Sequence, residues 1–203
     1  MPENNITDTR PQFLSPLAVK ILDSRPDAYQ SLVVAGTTSE SARALLAGVK
    51  PQQLLTLPVV NPQDAGAMLG GLWLWHDSLD ACHKIVQDLI GPTGAFWHAI
   101  MHRREGDFSN AKYWYARCAD HRVFRLISAM GIDLIGRDTT DESLLRIVGA
   151  EYNPDALVDL IEAIHEKAAD PRRQAVIRIQ QLEWEALFNH CAYEATASPG
   201  GMI

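Results

Sequence analysis

Four of the seven histidines of this chain fall between positions 76 and 102, and acidic residues accompany them at regular spacing. Two stretches repeat one pattern, in which three polar residues stand at i, i+4 and i+7. The first stretch carries His76, Asp80 and His83, and the second carries His98, His102 and Glu105. On an α-helix this spacing places all three side chains on one face. The pattern therefore predicts two helical faces of imidazole and carboxylate groups.

The short turn Gly91-Pro92-Thr93-Gly94 separates the two stretches, so the two helices should be antiparallel neighbours. His83 and His102 lie equally far from the middle of this turn. If the faces meet, they bring together nitrogen and carboxylate donors, which suit zinc or a non-haem transition metal such as iron. The predicted metal ligands are Asp80, His83, His98 and His102. Glu105 is a further ligand or base, and His102 and Glu105 are the candidate catalytic residues.

The same residues also have a purely structural interpretation, and the sequence leaves both open. Histidines at a helix junction commonly hydrogen-bond to carboxylates and to the backbone without any metal. A metal with an open coordination position would permit hydrolysis or oxygen chemistry. A hydrogen-bonded network would only stabilise the fold.

A basic segment follows directly, with six Lys or Arg residues against three acidic ones between Arg103 and Arg125. Such a reversal of the chain's acidic charge predicts a site for a small carboxylate or phosphate, helped by free N–H groups at a helix N-terminus. The candidate ligand-binding residues are Arg103, Arg104, Asn110, Lys112, Tyr113 and Arg117. The alternative is ion pairing with Glu105, Asp107 and Asp120 within a helix hairpin of tetratricopeptide type, although no second copy of the pattern is visible.

The last helical segment offers one more acidic partner. Glu183 and His190 stand at i and i+7 on one face. If Glu183 faced the histidine cluster, its charge would orient an imidazole. The simpler interpretation is that Glu183 makes an ordinary salt bridge.

Apolar residues at helical spacing and strong capping signals indicate an all-α fold of about seven to nine bundle-like helices without a significant sheet. Asn61 and Pro62 should begin one helix that runs to Leu89. Gly106-Asp107 should end the second histidine helix, and Ser109 should cap the next. We expect a flexible tail over residues 1–12 and a single domain over 13–203.

The composition limits the classes of function. A net charge of −7 argues against nucleic acid and anionic membranes as partners. Three widely spaced cysteines fit buried thiols in a reducing compartment, and the polar N-terminal residues lack a secretory pattern, so the cytoplasm is expected. Nucleophilic catalysis has little support, because the cysteines have apolar neighbours and no nucleophile-elbow pattern is present. The expected partners are a small anionic ligand and, as an option, a second copy of the chain in a homo-oligomer.

The segment from Leu72 to Phe124 also resembles an uncharacterised, mainly bacterial protein family with the signature WHxIMHRREGDxxNAKYW. The matching positions are Asp80, His83, Gln87, Trp97, His98, Ile100, Met101, His102, Arg103, Arg104, Glu105, Asp107, Asn110, Ala111, Lys112, Tyr113 and Trp114. Cys82 stands where the family usually has serine, and Arg122 stands where proline is common. The family has no known activity, so the resemblance implies where a site lies and not what it does.

Two readings of the function follow. In the first, the chain is a small-molecule enzyme or binding protein that uses a cleft of His, Arg and Glu side chains over residues 76–117, with or without a metal. In the second, it is a helical protein-interaction module, and the same motif is a structural network of hydrogen bonds and salt bridges.

Overall fold

The structure, a computed structural model, describes residues 10–34 and 39–197. Within these ranges the chain forms ten α-helices, one 3₁₀ turn (Pro51–Leu54) and no β-sheet, which confirms the predicted all-α class. The helices are α1 (Pro16–Asp23), α2 (Glu40–Leu46), α3 (Pro62–Trp75), α4 (Leu79–Val86), α5 (Pro92–Glu105), α6 (Phe108–Tyr115), α7 (Val123–Ile135), α8 (Glu142–Val148), α9 (Pro154–Ile164) and α10 (Arg173–Thr196). Residues 1–9 of the predicted tail and 198–203 of the predicted domain lie outside the described residues.

Several helices begin at the local capping signals that the sequence contains. Asn61 accepts a hydrogen bond from the Gln63 N–H at the start of α3, and Asn153 does the same for the Ala156 N–H of α9. Each cap satisfies one of the N–H groups that the first turn of a helix leaves without a partner. The predicted Ser109 cap is wrong, because Asp107 caps α6 by accepting from the Asn110 N–H.

The predicted single helix from Asn61 to Leu89 is also wrong, because it breaks between α3 and α4. His76 ends α3, and Asp77 adopts a left-handed backbone conformation with φ of 55°. A residue with positive φ cannot continue a right-handed helix. The break separates His76 from the other residues of the first predicted face, and the chain consequently has more helices than predicted.

Helix α5 is the central helix of the fold, since residues 94–104 are all buried. Gly71 allows α3 to pack closely against α5, because a Cβ at this position would lie 2.6 Å from the Trp97 ring. The Gly71 carbonyl also accepts a hydrogen bond from Trp184 Nε1 of α10 at 2.9 Å. Helices α3, α5 and α10 thus pack directly on one another.

The buried hydrophobic residues form one cluster with members from every helix, so α5 lies within a shared core. Of the helices in the described ranges, none combines the length and the apolar character that a membrane span requires.

Candidate metal centre

Three imidazoles converge where α4 faces α5. His83 comes from α4, and His98 and His102 come from α5. One ring nitrogen from each lies within 4.8 Å of the others. The ring centroids are 4.9 Å apart for His83 and His98, 5.6 Å for His83 and His102, and 5.2 Å for His98 and His102. The sequence had placed these three side chains on facing helices, and the structure brings them together.

Packing holds two of the rings in parallel. His98 and His102 lie one helical turn apart on α5, and their rings are inclined by only 5°. Trp114 of α6 stacks on His98 with a centroid distance of 4.0 Å and an angle of 9°. Both histidines are buried, whereas His83 is only half-buried. The cluster therefore has a buried inner side formed by α5 and a partly exposed outer member, His83, beside which solvent can reach it.

Polar neighbours orient the ring of His102. Its Nδ1 lies 3.0 Å from Glu105 Oε2, and its Nε2 lies 3.1 Å from Asn110 Nδ2. In the neutral ring Nδ1 donates its hydrogen to the Glu105 carboxylate, and the Nε2 lone pair accepts from the Asn110 amide. Glu105 and Asn110 thus belong to the site as partners of His102, and a metal ion at Nε2 would replace the Asn110 hydrogen bond.

The electrostatic environment of His98 favours its neutral form. Burial, together with the neighbouring His102 and His83 rings, lowers the pKa of His98 to about 4. His98 is therefore neutral at physiological pH, and a neutral imidazole is the form that binds a metal ion.

The other residues of the predicted histidine faces lie elsewhere. Asp80 is exposed in the first turn of α4, where water solvates its carboxylate, and the structure does not bring it into the group of three imidazoles. His76 is buried at the end of α3, and its Nε2 lies 3.0 Å from the Ile21 carbonyl oxygen. The four-donor set of Asp80, His83, His98 and His102 is thus reduced to three histidines.

Arg103 belongs to the protein core and not to a ligand pocket. Its guanidinium and the Glu183 carboxylate are both fully buried and form an ion pair. The Tyr115 and Tyr152 hydroxyls donate to the same carboxylate, the former at 2.7 Å. Glu183 therefore neutralises Arg103 and does not orient a histidine of the cluster.

Arg104 is equally buried, but its contacts are with other parts of the chain than those of Arg103. It donates to the Ser31 carbonyl and to the Asp77 carboxylate, and its guanidinium lies 4.2 Å from the centroid of the Tyr29 ring. Asp77 also accepts from Arg25. These contacts leave neither Arg103 nor Arg104 facing an external anion.

The remaining candidates for anion binding lie apart on the surface of α6 and beyond it. Lys112 forms an ion pair with Asp159 of α9. Arg117 lies 3.3 Å from the centroid of the Tyr113 ring and donates to the Tyr113 carbonyl. The structure therefore does not assemble the basic residues into one pocket. The acidic partners proposed for them in a hairpin are not the ones observed either.

Trp114 is a residue of the site that belongs to the signature but was not among the candidate site residues. Its helical spacing is typical of an ordinary core residue, and only the stacking on His98 shows its relation to the cluster. Comparison with protein-family models, with curated proteins and with solved structures finds no match for this chain.

Proposed function

We propose that this protein binds a divalent transition metal ion through His83, His98 and His102, and that the metal centre binds or transforms a small molecule. The observation that carries the proposal is the approach of three imidazole nitrogens to within 4.8 Å of one another. Three protein ligands leave a fourth position open, as in catalytic zinc sites. Imidazole donors favour zinc, iron, copper or nickel over magnesium and calcium.

Glu105 has two roles in this proposal. Its contact with His102 Nδ1 orients the ring and increases the basicity of the nitrogen that binds the metal. Its side chain is also half exposed, so it can exchange a proton with a molecule bound beside the metal. The positions through which the segment from Leu72 to Phe124 resembles the uncharacterised bacterial family include His83, His98, His102, Glu105 and Asn110, and this resemblance favours locating the function here.

The proposed ligand is a small anion. Arg103, Arg104, Lys112 and Arg117 all have partners within the protein, so the positive charge available at the site is that of the metal ion itself. A carboxylate or phosphate group would bind at the open coordination position. All three cysteines are free and buried, which supports a reducing compartment such as the cytoplasm.

Zinc titration of chelator-treated protein tests the proposal. We expect one zinc ion per chain, and loss of that stoichiometric binding in His83→Ala and in the double variant His98→Ala/His102→Ala. Glu105→Gln should lower the zinc affinity about 10- to 100-fold, because it removes the carboxylate that orients His102. Metal content by mass spectrometry and affinity by competition with a chromogenic chelator measure both effects.

The matched control is His165→Ala, since His165 lies outside the cluster and contacts Phe108. This variant should retain full zinc binding. His83→Ala is the decisive variant, because a half-buried side chain can be truncated without unfolding the core. If the wild-type chain binds no zinc, iron, copper or nickel, or if His83→Ala binds as well as wild type, the proposal is wrong. The interaction-module reading would then be preferred.

A further inference from the structure

A second site lies beside the C-terminal half of α10, and none of its lining residues belongs to the metal centre. Three adjoining cavities of about 330, 470 and 490 Å³ make up this α10 cleft. The 330 Å³ cavity is central. It shares Asp64, Pro92 and Thr93 with the 470 Å³ cavity and Arg122, His190 and Glu194 with the 490 Å³ cavity.

Two histidines form one wall of the central cavity. The rings of His121 and His190 meet edge to face with centroids 4.9 Å apart. The Val123 N–H donates to His121 Nδ1 at 3.3 Å, so the ring hydrogen is on Nε2 and is donated to Thr93 Oγ1 at 3.2 Å. Burial lowers the pKa of both imidazoles to about 4. The histidine wall is therefore uncharged at neutral pH.

The charged residues of the central cavity are mainly acidic. Asp64, Asp120 and Glu194 line it, against a single guanidinium from Arg122. Arg122 forms a solvent-exposed ion pair with Glu194. The Asp64 carboxylate accepts instead from the neutral Asn61 amide, and no Lys or Arg of the described ranges forms an ion pair with it. Burial and the nearby Glu194 raise the pKa of Asp64 to about 6, as expected where negative charge is not neutralised.

Of the two outer cavities, the 490 Å³ cavity is mainly apolar, whereas polar and apolar groups both line the 470 Å³ cavity. Seven large hydrophobic side chains are exposed in the described ranges, and four of them line this cleft. They are Ile90 in the 470 Å³ cavity and Leu126, Met130 and Tyr193 in the 490 Å³ cavity between α7 and α10. Ligand sites typically combine such apolar walls with a few convergent polar groups.

From this arrangement we infer that the α10 cleft binds an organic cation, an ammonium group carried on an apolar alkyl or aryl chain. The ammonium lies against Asp64 and Glu194, and the apolar part lies between α7 and α10. A metal ion fits less well, because every described group of three ligand atoms close enough to hold one includes His102.

Hexylamine is a suitable probe because it has both a positive charge and an apolar chain. Hexanol and methylamine each have only one of these two features. We expect hexylamine to raise the melting temperature and to bind more tightly than either analogue, since hexanol lacks the charge and methylamine lacks the apolar chain. Asp64→Asn should weaken hexylamine binding about tenfold or more, the effect of losing one hydrogen bond to a charged group. Asp88→Asn is the matched control, because Asp88 is exposed and outside the cleft.

A second pair of variants tests the apolar wall. Met130→Ser should weaken binding of hexylamine but not of methylamine, whereas Leu57→Ser, at an exposed position outside the three cavities, should change neither. Circular dichroism establishes that each variant is folded. Equal binding of hexanol and hexylamine, or undiminished hexylamine binding by Asp64→Asn, would overturn the inference.

The pH dependence adds an independent readout. Hexylamine stays protonated below pH 8, so its affinity should fall as the pH decreases through about 6 and Asp64 becomes neutral. The other titratable groups around Asp64 are Asp120, His121, Arg122, His190 and Glu194, together with the thiols of Cys118 and Cys191, which burial keeps neutral by raising their pKa. The two histidines gain charge only near pH 4, well below this step. The step near pH 6 should be absent in Asp64→Asn, and its persistence there would contradict the assignment.

Discussion

Replacing Glu183 with alanine should lower the free energy of unfolding by about 3–5 kcal/mol, because it leaves a buried cation without its counter-ion. Arg103 has no exposed surface, so water cannot replace the lost carboxylate. The Tyr115 and Tyr152 hydroxyls would lose their acceptor in the same step. Urea denaturation, with the free energy extrapolated to water, measures the change.

Two further variants distinguish the effect of losing the Glu183 charge from the effect of losing its side-chain atoms. Glu183→Gln keeps the shape and part of the hydrogen bonding, so it should be destabilised less than Glu183→Ala. The double variant Arg103→Met/Glu183→Leu removes both charges and should be more stable than Glu183→Ala. Asp133→Ala breaks an exposed ion pair with Arg137 and serves as the control, with an expected loss of about 0.5 kcal/mol. A loss for Glu183→Ala as small as that of the control would show that the buried pair does not stabilise the fold.

Replacing Asp77 with alanine should be similarly costly, at about 3–5 kcal/mol, because Asp77 is the carboxylate that balances the fully buried Arg104. Asp77 also forms an ion pair with Arg25, so one carboxylate at the break between α3 and α4 binds two guanidinium groups. Alanine would in addition have to adopt the left-handed backbone conformation at this position. This conformation is unfavourable for residues with a Cβ atom other than Asn and Asp.

The choice of substitution at Asp77 separates the two contributions. Asparagine tolerates the left-handed conformation and removes only the charge, whereas glycine removes the side chain and the strain together. We expect Asp77→Ala to be less stable than Asp77→Gly by about 1 kcal/mol. Equal stability of these two variants would show that the backbone conformation is not strained.

Helix starts could be predicted from the sequence because their causes are local. Asn61 and Asn153 each bond to an N–H group two or three residues further along the chain. The histidine cluster could be predicted for a related reason, since i, i+4 spacing and one short turn determine which faces of α4 and α5 meet. The predicted Ser109 cap is wrong because Asp107, two residues earlier, offers the same chemistry.

The other errors concern contacts between residues that are distant in the sequence. Asp77 interrupts the predicted helix because Arg25 and Arg104 hold its carboxylate, from positions 52 and 27 residues away. Arg103 resembled an anion-binding residue because its partner, Glu183, lies 80 residues downstream. Helical periodicity carries no information about such pairs, and a buried arginine is rare enough that exposure is the natural expectation.

The two adjacent arginines of α5 have a consequence for how the molecule opens. Arg103 ties this helix to α6 and α10, while Arg104 ties it to the loop after α1 and to the α3–α4 junction. Any partial opening that separates α5 from one of these neighbours breaks an ion pair. One of its two charged groups then becomes exposed to solvent, while the other stays buried without a counter-ion. The amide hydrogens of residues 97–104 should therefore exchange with deuterium only when the whole molecule unfolds, and they should be the last to do so.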